Sequence, residues 1–149
     1  MTADFRLTLS EYRANPASPD FLDVRADVAC RGFSGQTGFS ISRRDVDRFL
    51  GDIAGIRDMT GDLAQLLGGW DDSEERLRLR ITRAGLSNGF LARVRIASTG
   101  PREDQWNRVE TEFVCPLASM LAFELDLGRL LGEQKPGMVV LSGDAQTIA

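Results

Sequence analysis

Four pairs of carboxylates stand at short spacings of the kind acid–base or metal chemistry can use: Asp45/Asp47, Asp71/Asp72, Glu74/Glu75 and Glu110/Glu112. A glycosidase needs two such groups facing each other across a cleft, and a hard cation needs a converging set of oxygen ligands. Most of these pairs fall on turns or on the polar side of alternating segments, and calcium-loop spacing is absent. They read as solvated charge. Other reactive side chains are few. The chain has no histidine, one tyrosine (Tyr12) and one lysine (Lys135) against seventeen arginines. Without histidine, Ser-His-Asp and Cys-His catalysis, histidine-ligated metals and histidine pH switches are excluded. A phosphate loop ending in Gly-Lys-Ser/Thr is excluded too, because Lys135 is followed by Pro136 and Gly137. Neither a GxSxG elbow nor an SxxK nucleophile occurs. Cys30 and Cys115 match no metal or redox spacing and read as free, buried thiols of a reducing compartment. No catalytic residue, cofactor or metal is expected, and the chain is not expected to be an enzyme.

The glycine-rich segment Gly32-Phe33-Ser34-Gly35-Gln36-Thr37-Gly38 could be taken for a phosphate cradle. It opens no helix and has no lysine, so it reads as a flexible hairpin tip, with Phe33 and Phe39 as candidate partner contacts. Trp70 and Trp106 sit at strand ends and read as lids on the core.

The elements that must position these residues follow from periodicity. Phe5, Leu7 and Leu9 alternate with polar residues, as a half-buried strand requires. The prolines of Asn15–Asp20 predict a loop, and Leu22, Val24, Ala26, Val28 and Cys30 form one face of a second strand. Phe39–Ile41 reads as a short returning strand. From Ser42 to Ile56 the period becomes helical: Val46, Phe49, Leu50 and Ile53 share a face, with Ser42 as N-cap and Asp45 three residues on. A short strand is expected over Asp62–Leu67. Strands with inward Leu77, Leu79, Ile81 and Ala92, Val94, Ile96 flank Asn88-Gly89, the preferred type I′ turn dipeptide. A two-residue turn there predicts Ile81 opposite Ile96 and Leu79 opposite Ser98. Val109, Thr111, Phe113 and Cys115 form the inward face of the next strand. Pro116 then opens a helix whose broad stripe (Leu117, Met120, Leu121, Leu125, Gly128, Leu131, widened by Phe123, Leu127 and Leu130) predicts burial on a sheet. Met138–Leu141 reads as a further edge strand and Ser142–Ala149 as loose.

The order is β-β-β-α-β-β-β-β-α, an α+β fold: one curved antiparallel sheet of six or seven strands with two helices on one face. One domain is expected over the 149 residues, with its core in about 4–132 and a tail over 133–149. The net charge of −4 and pI near 4.9 argue against a nucleic-acid partner. No leader peptide and no apolar run near the ~20 residues of a membrane span are visible, so a cytoplasmic location without membrane contact is expected.

Charge is unevenly placed. The outward positions of the hairpin strands and their neighbour carry Arg76, Arg78, Arg80, Arg93, Arg95 and Arg108 beside Glu110 and Glu112. Four net positive charges therefore lie on one face of an acidic chain. That face, with Phe33, is the candidate surface for a protein partner of acidic character, while a solvated face of self-paired guanidinium groups remains the plainer alternative.

The succession Phe5-Arg6-Leu7-Thr8-Leu9, Phe21–Val28, Gly32–Gly35, the helix through Asp45–Leu50, Leu77–Ile81, Val109–Phe113 and the helix over Leu117–Leu131 resembles the WapI-type immunity proteins and their bacterial relatives. The likeness spans roughly residues 5 to 132. It implies a non-enzymatic cytoplasmic protein that neutralises a toxin by binding it, and it supplies no catalytic residue. The tryptophan many relatives carry before the second strand and the Glu-Pro before the later hairpin are missing. The alternative is a small-molecule or lipid-binding module with an apolar cavity between sheet and helices.

Overall fold

A computed structural model describes residues 5–15, 18–30, 33–69, 75–84, 89–99, 106–133 and 137–143. The elements run β1 (Phe5–Asn15), β2 (Ser18–Cys30), β3 (Phe33–Ser42), α1 (Arg43–Arg57), β4 (Ala64–Gly69), β5 (Glu75–Arg83), β6 (Phe90–Thr99), β7 (Trp106–Cys115), α2 (Leu117–Glu133) and β8 (Met138–Gly143). The expected order holds, and the edge strand expected at Met138–Leu141 is β8. Pairing is antiparallel throughout, but the strands form two four-stranded sheets, β3-β2-β1-β8 and β4-β5-β6-β7, where a single sheet of six or seven was expected. The reason lies in the alternation itself. Period-2 burial says that one face of a strand is covered and is silent on whether a helix or a second sheet covers it.

Here much of the cover is β3. It contacts all four strands of the second sheet, and four strands at about 4.8 Å spacing span some 14 Å, so β3 must run across them rather than along one. Its glycines permit this. A Cβ on Gly35 would stand 2.9 Å from a methyl of Val109 and 3.1 Å from Ile96 Cδ1. On β4, a Cβ on Gly68 would stand 2.3 Å from the Phe39 ring. The segment expected as a flexible tip, Gly32–Gly38, is strand from Phe33 on, with Gly32 outside the described residues: Gly35 pairs with Val28, Gln36 with Asp27 and Thr37 with Ala26, and Gly35 serves close approach rather than a turn. Likewise the loop expected over Asn15–Asp20 is short, since Asn15 already pairs with Ser18. Pro19 lies in β2 ahead of Phe21, where pairing with β3 begins.

The β5/β6 register also differs from expectation. Leu77 faces Ile96, Leu79 faces Val94 and Ile81 faces Ala92, four residues from the register a two-residue turn would impose. The ladder extends to Ala84, whose N–H donates to the Gly89 carbonyl at 3.1 Å, so the connection is residues 85–88. An even shift keeps every side chain on its face. The observed register sets Leu79 against Val94 instead of Ser98, and apolar burial outweighs the turn preference.

Helix α1 begins as expected: Ser42 Oγ accepts the Asp45 N–H at 3.1 Å, and Val46, Phe49, Ile53 and Ile56 are buried. At its C-terminal end the Arg83 guanidinium of β5 donates to the carbonyls of Ile56 and Arg57, satisfying groups the helix leaves open. Helix α2 departs from expectation. Met120, Phe123, Leu127 and Leu130 are buried, whereas Leu117, Leu121 and Leu125 are exposed. Only half of the broad stripe faces the core. The core joins both sheets and both helices, with Phe5 stacked on Phe113 at 5.6 Å and Phe49 edge-on to Phe123 at 6.4 Å.

Candidate functional site

The outward face of the second sheet is built in rows, because residues opposed across strands share a face. One row reads Gln65, Arg80, Arg93, Glu112, and the next Leu67, Arg78, Arg95, Glu110. Arg108 stands opposite Ala97, and Arg76 precedes Leu77 on β5. The structure thus brings the six candidate arginines onto one face. It also opposes Arg78 to Arg95 and Arg80 to Arg93, two like-charge pairs side by side. Phe33 opens β3 opposite Cys30 in the other sheet, so it is not part of this face; its side chain lies outside the described residues.

Most of these guanidinium groups have lateral partners. Arg78 forms a two-pronged pair with Glu75, Nε to Oε1 at 2.7 Å and Nη2 to Oε2 at 3.0 Å. Arg80 Nε donates to Gln65 Oε1 at 2.6 Å and Arg93 Nε to Glu112 Oε2 at 2.5 Å. Arg76 is also engaged. Among the described residues, Arg95 and Arg108 form no ion pair within 4 Å. Six arginines against Glu75, Glu110 and Glu112 leave an excess of three positive charges. Sequence reasoning missed Gln65 and Glu75; alternation assigns Glu75 the parity opposite to Arg78, and Gln65 needed the sheet order.

The carboxylate pairs do not converge. Asp45 and Asp47 are exposed on α1, Glu75 and Glu112 are engaged by arginine, and Glu110 is exposed; Asp71, Asp72 and Glu74 lie outside the described residues, as does Trp70. Among the described residues no three His, Cys, Asp or Glu side chains could hold a metal ion. Cys30 and Cys115 are both buried and free. Burial pushes the Cys115 thiol up to about 12, which makes it a poor nucleophile at neutral pH. No described helix is long and apolar enough to cross a membrane.

Two concavities were not foreseen. One, of about 610 Å³, lies on the outer face of the first sheet between Arg6, Thr8, Asp27, Ser34 and Gln36, beside Arg25, which pairs with Asp27 at 3.2 Å and donates to Gln36. The other, of about 640 Å³, runs between α1 and α2 and is bordered by Leu50, Leu121, Leu125, Gly128 and Arg129. The Arg57–Glu124 ion pair bridges the helices at its side, and the hydrogen bond and charge of Glu124 hold the Arg57 guanidinium above its usual range. The space between the sheets and helices is occupied by Phe39, Phe49, Phe113 and Phe123. Comparison with protein-family models, with curated proteins and with solved structures finds no match.

Proposed function

We propose that this chain is a non-enzymatic, immunity-protein-like domain that binds a protein partner, such as a toxin domain, through the arginine face of its second sheet. The observation that carries the reading is the double opposition of Arg78 with Arg95 and Arg80 with Arg93. Like charges directly opposed destabilise a sheet. Glu75, Gln65 and Glu112 temper three of the four groups, and among the described residues Arg95 forms no ion pair within 4 Å. An acidic partner surface supplies the missing anions, and guanidinium forks recognise carboxylates in two-pronged geometry. The surface faces solvent, which suits association rather than turnover. The small-molecule alternative has less in its favour, because buried phenylalanines fill the space that ligand would need.

The test uses affinity capture from the native host, identification of the captured protein, and titration of the purified pair. The double reversal Arg78→Glu/Arg95→Glu is expected to weaken binding at least about tenfold, with a shallower salt dependence, and Arg95→Glu alone, which breaks no ion pair among the described residues, is expected to weaken it while keeping the thermal midpoint of the parent. Equal affinity of the parent and the double reversal would remove this face from the function.

A further inference from the structure

The solvent side of α2 is as unusual as the arginine face and is independent of it. Among the residues whose side chains are described, the exposed ones are Leu117, Ala118, Leu121, Ala122, Leu125 and Gly128, with Arg129 as the single charge among them; Leu125 is 58% exposed. Helix α1 beside it exposes Arg44, Asp45, Asp47, Arg48 and Asp52, the ordinary polar surface of a soluble helix. A helix that is apolar on both sides is one whose outer side is covered.

The order of residues on that side identifies the cover. Leu121, Leu125 and Gly128 follow one another at spacings of four and three, the seam of a helix pair. The seam is large at Leu125 and small one step on at Gly128. A second α2 laid antiparallel therefore sets Leu125 over Gly128, and the twofold axis repeats the contact. Nothing stands within 4 Å of a Cβ built on Gly128, so the position opposite Leu125 is open. Charge agrees with this arrangement. Asp126 and Arg129 lie on one flank of α2, and neither has an ion pair among the described residues. In an antiparallel pair, residues of the same flank meet, which brings each Arg129 beside the other copy's Asp126. The outer half of a helix about 25 Å long and 11 Å wide covers roughly 430 Å². Two copies together contribute roughly 860 Å² from α2, the size of a weak, reversible pair.

We infer that α2 is the interface of a twofold dimer of this chain, packed antiparallel on its own copy. The proposal stands apart from the function of the arginine face. It is tested on the whole chain by sedimentation equilibrium from about 1 to 300 µM, where a micromolar dimer of this size shifts from the 16.4 kDa of one chain to twice that mass. Gly128→Leu fills the hollow from a position whose Cβ meets nothing within 4 Å and is expected to weaken the dimer at least about tenfold. Adding Leu125→Gly to that variant exchanges large for small on both copies and is expected to restore association to within about threefold of the parent. One chain mass at every concentration overturns the proposal, and so does a dimer that Gly128→Leu leaves intact.

Discussion

Gly68→Ala measures directly whether β3 lies across the second sheet. The added Cβ would stand 2.3 Å from two carbons of the Phe39 ring, whereas unstrained carbons sit about 3.5–4.0 Å apart. More than an ångström must be found. The ring is 2% exposed, so it cannot swing into solvent. Overpacking of this kind costs about 1–3 kcal/mol, and a backbone-borne atom against a buried ring belongs at the upper end. For a domain of this size each kcal/mol moves the thermal midpoint by about 3 °C, so a fall of roughly 6–9 °C is expected. Thermal and urea unfolding followed by far-ultraviolet circular dichroism read both quantities. Phe39→Leu shortens the obstructing side chain. The double variant is therefore expected to lose at least about 1 kcal/mol less than the two single losses together. A Gly68→Ala midpoint within about 1 °C of the parent, or strict additivity with Phe39→Leu, would show that the ring does not sit over Gly68 and that the sheets do not cross there.

Three further outcomes follow from single residues. Gly51 lies exposed in the interior of α1 with open space around it, so Gly51→Ala is expected to stabilise the fold by about 0.5–1 kcal/mol in urea titration; destabilisation refutes the helical environment assigned to it. Thr37 is buried on β3, and among the described residues its hydroxyl has no hydrogen-bond partner; Thr37→Val is expected to raise stability by about 1 kcal/mol, and a loss would reveal a bond to that hydroxyl. Cys115 has its ionisation raised from 9.0 to about 12 by burial. Above pH 9 the unfolded thiol loses its proton while the folded one keeps it, so unfolding releases a proton and stability falls as pH rises from 9 towards 12. The expected slope is about 1.4 kcal/mol per pH unit steeper than in Cys115→Ala, and identical slopes would place the thiol in contact with solvent.

The parts of this fold legible in sequence are those decided within one element. The inward faces of β1, β2 and β5 to β7 and the capped start of α1 each follow from a few neighbouring residues, and burial obeys them. The parts that were not legible belong to pairs of elements. Gly35 carries the same local signature in a turn as in a strand crossed by another sheet; only the neighbours Val109 and Ile96 distinguish the two. Asn88-Gly89 favours a two-residue turn by itself, but the register is settled by three apolar pairs, whose combined burial exceeds one turn preference. On α2 the broad stripe predicts burial of the whole of it on a sheet, and Leu117, Leu121 and Leu125 are exposed instead; the division between Phe123 and Leu125 depends on which side meets β8 and α1. The six arginines were assigned to one face by alternation alone. Their opposition in like-charge pairs required the true register, as did Glu75 and Gln65 as their partners.

Strand β1 is paired on one side with β2, its immediate successor, and on the other with β8, through Leu7 opposite Leu141 and Leu9 opposite Val139. During synthesis the first partner arrives at once and the second only after about 130 further residues, roughly ten seconds at typical ribosome speeds. Throughout that interval the edge of β1 stands open, with Leu7 and Leu9 at its inner face. An open apolar edge is a template for pairing with another chain. The nascent protein must pass through a period of vulnerability to association, and a chaperone that shields this edge is most useful before β8 emerges. Shortening the chain ahead of Met138 would make that temporary state permanent.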